Sequence, residues 1–252
     1  MRGDVVSETP PGGMSRRNSQ MKVQAGKGVE WNDDDQMLTL VRSELYTAVI
    51  GDVCDQVGLR QQFLPPEVTS LDKQKRAILA GRAMTVEEHD VDEVPDEGQP
   101  WGRMLEALDN LRRNDVYICS GSATPYALFG ELMSTAAMKR GAVGAVCNGF
   151  VRDTHQILAL GFPIYCRGSY ALDQRGRGVV QQYRGPLQFG DVAVNPGDLV
   201  VGDIDGVIIV PREREEQVLG KALAKVRTES EVRKQLKDGM LVTEAFARYG
   251  VL

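Results

Sequence analysis

The sequence predicts an α/β fold, and three observations predict it. Across residues 116–166 the chain alternates strand, helix, strand, helix and strand, the rhythm of helices layered on a sheet. Beyond that stretch Gly185, Gly190, Gly197, Gly202 and Gly206 punctuate short β runs, and from Arg212 to about Lys237 charged residues interleave with Leu and Val at helical spacing. With 252 residues and 42% apolar side chains, a single domain buries a substantial core without disulfide support.

The elements follow in order. Residues 1–36 are rich in Gly, Pro, Ser and charge, as in Pro10-Pro11-Gly12-Gly13 and Asp33-Asp34-Asp35, and read as a disordered leader ahead of one domain at 37–252. Met37, Leu40, Val41 and Leu45 keep helical spacing, which resumes after Thr47 with Val49, Val53 and Val57, giving two short helices. Residues 79–86 form a strand with a glycine bend, 87–98 an acidic solvated loop, 104–111 a helix and 116–119 a buried strand. Gly130 opens a helix with Leu132, Met133, Ala136 and Ala137 on one face, and Gly141 ends it. A strand at 142–147, a turn at Asn148-Gly149, an exposed edge at 151–153, a helix at 154–160 and a strand at 163–166 complete the alternation. The runs 192–194, 199–201 and 207–210 make hairpins or a small barrel-like layer, and a short tail follows the long helix.

Composition removes several function classes. Lys+Arg 30 against Asp+Glu 35 leaves a net charge of -5 and no clustered basic face, so nucleic acid is not expected as a partner. No apolar run exceeds four residues, far short of the roughly 20 of a membrane span or the roughly 7 of a secretory signal. Arg16-Arg17 is followed by polar Asn18-Ser19-Gln20 where a twin-arginine signal needs apolar residues, and the expected location is the cytoplasm. Cys54, Cys119, Cys147 and Cys166 form no C-x-x-C pair and read as reduced core thiols, while His89 and His155 alone give no His-rich metal site. G-x-S-x-G and the P-loop are absent, and Gly176-Arg177-Gly178 meets Gln181 where a dinucleotide fingerprint needs glycine.

What remains is Arg152-Asp153, just after the Asn148-Gly149 turn, together with the helix start Gly130-Glu131-Leu132-Met133. Helix-terminal N–H groups and a guanidinium both suit a small carboxylate, and an Asp suits a hard divalent ion. The same Arg-Asp pair taken alone reads as an ordinary surface ion pair. Asp203-Ile204-Asp205-Gly206 reads as a hairpin turn rather than a second metal clasp, and His155 as a solvated first-turn residue rather than part of a site entrance. Arg167, Arg175 and Arg177 suit either a dianionic substrate or ion pairs at a subunit interface.

Glu131-x20-Arg152-Asp153, set in GELMSTAAMKRGAVGAVCNGFVRD, resembles the D/E-x20-R-D signature of the RraA-like class II pyruvate aldolases related to 4-hydroxy-4-methyl-2-oxoglutarate aldolase. That family also holds oxaloacetate decarboxylases and the regulator of ribonuclease E activity A. TAVIGDVCDQVG, LAGRAMTV, PIYCRGSYALDQRGRG and PGDLVVGDIDGVIIVP extend the resemblance through most of residues 40–237. It implies a swivelling β/β/α sandwich like the phosphohistidine domain, assembled as a homotrimer or a hexamer with sites between subunits. It further implies that Asp153 ligates Mg²⁺ or Mn²⁺, and that Arg152 with the backbone of Gly130, Glu131, Leu132 and Met133 holds the pyruvyl group. Glu131 stands where aldolases often carry Asp, an outer carboxylate acting through water, and Glu229, with Glu231 as fallback, matches a Glu drawn from the neighbouring subunit. The implied activity is metal-dependent cleavage of a 4-hydroxy-2-oxo acid to pyruvate, with oxaloacetate decarboxylation at the same site. The rival is a non-catalytic binding protein like the ribonuclease regulator, a branch lacking the Asp that Asp153 supplies here.

Overall fold

The computed structural model describes residues 31–74 and 77–251, so residues 1–30 of the expected leader lie outside the described residues. The expected boundary at 36 moves: α1 (Asp34–Glu44) begins inside it, because the Asp33 carboxylate accepts from the Gln36 N–H at 2.8 Å and caps the first turn. α2 (Thr47–Gln56) is capped from across the molecule, since buried Asp203 accepts from both the N–H and the hydroxyl of Thr47, each at 2.7 Å. Then come β1 (Thr69–Ser70), β2 (Leu79–Asp90), α3 (Met104–Asp109), β3 (Asp115–Ser120), β4 (Ala127–Phe129) and α4 (Glu131–Arg140). β5 (Gly144–Cys147), β6 (Phe150–Val151), α5 (Thr154–Leu160), β7 (Ile164–Cys166), β8 (Gly168–Ser169) and β9 (Gly178–Tyr183) follow. The chain continues through β10 (Leu187–Phe189), β11 (Val192–Val194), β12 (Leu199–Asp203), β13 (Gly206–Val210), α6 (Glu215–Lys237) and α7 (Val242–Tyr249).

The main sheet runs β1-β7-β5-β3-β2-β12-β13, with β9 beside the distal half of β2. Its β2-β3-β5-β7 portion is parallel, as the helical crossovers require, and its edges β1 and β13 approach one another so that the sheet nearly closes. Ala83, Val116, Ile118, Val146 and Val200 face inward and meet Leu187, Phe189, Val192 and Val194 of the β10-β11 hairpin. Outside, α1, α2 and α6 cover Ala80, Val201, Ile208 and Val210, while α3, α4 and α5 cover Met84, Tyr117, Cys147 and Ile164. Hairpin layer, sheet and helices make the expected β/β/α sandwich. Arg82, pointing outward from β2, pairs with Asp34 of α1 and Glu215 of α6 and so pins two helices to one strand. All four cysteines are free and buried, and among the described residues no helix is long and apolar enough to cross a membrane.

Several expectations need correction. The acidic segment after Val86 is not a loop at its start: residues 87–90 continue β2, because β9 pairs with all four and β3 with Glu87, and this pairing overrides the poor strand propensity of Glu and Asp. Gly81 makes no bend; a Cβ there would lie 2.6 Å from the Asn114 carbonyl oxygen, so the glycine serves close packing of β2 on its neighbour. Val151 is not an exposed edge but fully buried, in the middle strand of a second, parallel sheet β4-β6-β8. The buried face of α4 carries Ser134 and Ala137, while Leu132 is 80% exposed. The expected tail contains α7.

Candidate active site

The small sheet builds the site. β4 and β6 run parallel with Phe129 opposite Val151, so the residues that leave their ends, Gly130 and Arg152, emerge side by side. The Arg152 N–H donates to the Phe129 carbonyl at 3.0 Å and fixes that register. From there α4 starts at Glu131, and Asp153 turns the chain into α5 with φ 57° and ψ 33°, a left-handed conformation that is uncommon for a residue with a side chain. Asp153 makes no side-chain cap on its own helix. Its Oδ2 instead accepts from the Glu131 N–H at 3.2 Å, across the gap to α4. The N–H groups of Leu132 and Met133 keep no intrahelical acceptor, as in the first turn of any helix.

Arg152 lies between two carboxylates: its Nη1 is 3.0 Å from Asp173 Oδ1 and its Nε 3.7 Å from Asp153 Oδ2. All three are half-exposed at one end of a cavity of about 340 Å³. Gly130, Leu132, Met133, Asp173 and Gln174 also line it, and the remaining wall is apolar, from Trp101, Met104, Leu105, Leu108 and Phe129. Arg152, Asp153, Gly130, Leu132 and Met133 thus line one cleft. Glu131 is adjacent but does not line the cleft; its Oε1 accepts from the Thr135 hydroxyl at 2.7 Å, one turn along α4. Glu229 lies apart on α6, accepting from the Tyr46 hydroxyl at 2.6 Å with Lys225 3.7 Å away. Glu231 bonds Gln235 one turn on along α6, at 3.0 Å.

The other arginines are engaged elsewhere. Arg167 donates to Asn148 Oδ1 at 3.0 Å, Arg175 pairs with Glu97, and Arg177 donates to the main-chain carbonyls of Asp173 and Arg175. His155 is exposed on the first turn of α5. Both oxygens of Asp203 serve Thr47, and one also accepts from the Asp205 N–H at 2.9 Å, which matches the turn reading of that segment.

Sequence reasoning did not single out Asp173, Gln174 or Glu88. Asp173 and Gln174 sit within the PIYCRGSYALDQRGRG run but on a loop with no periodic signal. Behind the cleft wall Gln174 donates from Nε2 to Glu88 Oε2 at 2.7 Å, on the strand that was expected to be a loop. Glu88 is fully buried, its Oε1 has no hydrogen-bond partner, and burial pushes its carboxyl up to about 8 despite the bond from Gln174, with the Asp90 charge adding to the rise.

Gly130 is a point where the site needs glycine. A Cβ there would stand 2.9 Å from Asp153 Oδ2, and the extended backbone of φ -149° accepts alanine without strain. Gly130→Ala is therefore expected to displace the Asp153 carboxylate and cost about tenfold in turnover, while the melting temperature falls only slightly. Steady-state kinetics beside thermal melting checks this, and an unimpaired variant would show that the Asp153 position does not matter.

The sequence profile of the family described as RraA-like: Aldolase/RraA matches residues 47–209. A putative 4-hydroxy-4-methyl-2-oxoglutarate aldolase from Halalkalibacterium halodurans is 32% identical over 57% of this chain and 68% of that protein. Protein DlpA of Legionella pneumophila is 25% identical over 81% of this chain, and the matched stretch spans only 32% of its length. Among solved structures, Streptomyces coelicolor RraAS2, described as an unusual member of the RNase ES inhibitor RraA protein family, superposes with a TM-score of 0.70 at 25% identity, covering 81% of this chain and 98% of that one.

Proposed function

The chain belongs to the RraA-like (Aldolase/RraA) family, and on that premise we propose that it is a lyase releasing pyruvate from a 4-hydroxy-2-oxo acid of the 4-hydroxy-4-methyl-2-oxoglutarate type, with oxaloacetate decarboxylation at the same site. The observation that carries this reading is Arg152, held between Asp153 and Asp173 beside the open N-terminus of α4 at the end of a cleft.

Asp153 is the residue that would hold a Mg²⁺ or Mn²⁺ ion. Magnesium takes one or two carboxylates and completes its shell with water, and half-exposed Asp153 and Asp173 are the carboxylates that line this cleft. An ion held there would supply positive charge to offset the charge that develops on the substrate's keto group. Arg152 clamps the pyruvyl carboxylate with two parallel N–H donors, Leu132 and Met133 offer main-chain N–H groups to the same end, and Asp173 holds the guanidinium in plane. As the carbon-carbon bond breaks, charge moves onto the enolate, where a guanidinium already in place stabilises it without reorganising. The hydroxyl proton passes to Glu131 across water, since that carboxylate is turned along α4 rather than into the cleft. Oxaloacetate needs no such acceptor, because loss of CO₂ yields the same enolate.

The test is pyruvate release from oxaloacetate and from 4-hydroxy-4-methyl-2-oxoglutarate with Mg²⁺ or Mn²⁺ added. A rate no greater than that of the free ion on both compounds removes the lyase reading and favours a binding protein, the reading that the likeness to RraAS2 supports. A homotrimer or hexamer completes the proposal, with Glu229 of the partner subunit contributing to the site. Asp153→Ala and Glu229→Ala are each expected to be inactive, yet to regain part of the activity when co-assembled in mixed oligomers. Absence of rescue with mixed assembly confirmed excludes Glu229.

A further inference from the structure

A buried bond ties the loop that carries Asp173 to the main sheet. Between β8 and β9, residues 170–177 form no helix or strand, yet they bring Asp173 to within 3.0 Å of Arg152. At its start the loop hangs on the small sheet: the Tyr170 N–H donates to the Val151 carbonyl and the Ala127 N–H to the Leu172 carbonyl, each at 2.8 Å. At its end it closes on itself, since the Arg177 and Gly178 N–H groups donate to the Gln174 carbonyl at 2.8 and 3.0 Å. The side chain that runs inward from this turn is Gln174, 3% exposed, whose Nε2 donates to Glu88 Oε2 at 2.7 Å. Glu88 is fully buried on β2, where the register against β9 shifts between Glu87 and Glu88, an irregularity of the kind that re-aims a side chain. Every atom of this connection belongs to one chain. Gln174 follows Asp173 directly, so a change in its seat passes through one planar peptide unit to Asp173 and from there to the guanidinium. An apolar side chain at 88 would avoid the cost of burying a carboxyl; what the carboxyl supplies is an acceptor for that amide.

We infer that Glu88 is a positioning residue for the reaction: through Gln174 it fixes the 170–177 loop, so that Asp173 holds the Arg152 guanidinium where the substrate carboxylate meets it. This rests on the pyruvate-lyase reading and deepens it. Glu88 does not line the cleft, and its effect is on geometry alone. Such effects are large, since a displacement of about 1 Å in a binding group can lower turnover on the order of 10²-fold. Burial keeps the carboxyl protonated at neutral pH, so glutamine at 88 has the same charge and nearly the same shape, and still offers an oxygen to Gln174.

The experiment measures kcat and KM for pyruvate release from oxaloacetate at neutral pH, using the full chain with Mg²⁺, beside thermal melting. The proteins are the wild type, Glu88→Gln, Glu88→Met, Gln174→Met and the double variant Glu88→Met/Gln174→Met. Glu88→Gln is expected to keep kcat within about twofold, and Glu88→Met and Gln174→Met each to lower it by about tenfold or more with KM changed far less. The double variant replaces both bonded groups by apolar ones of similar length, which orphans neither partner and so protects the fold. It is expected to melt no lower than the wild type and yet to be as slow as Glu88→Met, because the two side chains act as one unit. Full activity in Glu88→Met or in the double variant overturns the inference and leaves the lyase reading in place. So does a Glu88→Gln variant as slow as Glu88→Met, a set of losses that multiply in the double variant, or activity that simply follows melting temperature across the series. A wild type no faster than free Mg²⁺ overturns the lyase reading and this role with it.

Discussion

Arg152→Lys is expected to cut oxaloacetate decarboxylation by about 10²-fold or more, with metal affinity retained. Lysine keeps the charge but replaces a planar fork by a single ammonium, so it cannot hold a carboxylate through two parallel bonds while also facing Asp173 at 3.0 Å. Asp153→Ala, in contrast, is expected to lose pyruvate formation and metal affinity together. Stability should change little in either variant, because both side chains are half-exposed and their mutual contact of 3.7 Å is a surface ion pair worth at most about 1 kcal/mol. Pyruvate release, metal titration and thermal melting on the wild type and both variants separate the two roles. Equal loss of metal affinity in Arg152→Lys would merge them.

Glu88→Gln is expected to stabilise the protein at neutral and alkaline pH. The folded carboxyl titrates at about 8, against an ordinary value of 4.5. Below about pH 4.5 it is protonated in both states and costs nothing. As pH rises from there toward 8, the unfolded chain ionises while the folded chain must keep its proton, so stability drains away, and above about 8 the loss levels off. Over that window the wild type should lose on the order of several kcal/mol relative to the variant. The amide retains an oxygen to accept from Gln174, so the bond at 2.7 Å need not be sacrificed. Denaturant melts from pH 5 to 9 measure the slope. Parallel curves for wild type and variant would mean that Glu88 is ionised or hydrated in the folded state. The groups facing it are Asp90 on the same strand, Tyr117 and Cys119 on β3, Tyr126 and Gln174; burial holds the Glu88 proton on, and the Asp90 charge adds to that.

What could be read from residues alone followed from local signals. Thr154–Leu160 was bounded correctly because Gly161 and the turn before it mark both ends, and Gly141, at φ 89°, ended its helix as expected. Arg152 and Asp153 were legible through their spacing from Glu131. The three-residue β4 and the two-residue β6 and β8 carry no period of their own; they exist only because they pair with one another. Leu132 shares an apolar helix face with Met133, Ala136 and Ala137 in the sequence pattern, whereas the structure leaves it 80% exposed at the cleft rim. Asp173 reaches Arg152 from a loop, and no sequence period reports such a meeting. Asp203 was read as part of a turn, which it is, but its capping of α2 from 156 positions away is tertiary information.

β2 also sets a schedule for the chain's assembly. Its first residues, Leu79 to Arg82, pair with Gly202 to Leu199 of β12, about 120 positions later, and its last with β9. Joining ends so far apart is entropically costly, and topologies dominated by such pairings fold slowly. At about 5–20 residues per second, a ribosome keeps β2 waiting on the order of ten seconds for the strand that will cover one edge. During that interval an apolar strand with unsatisfied N–H and C=O groups is available to any neighbouring chain, so the nascent protein is most exposed to aggregation before β12 emerges.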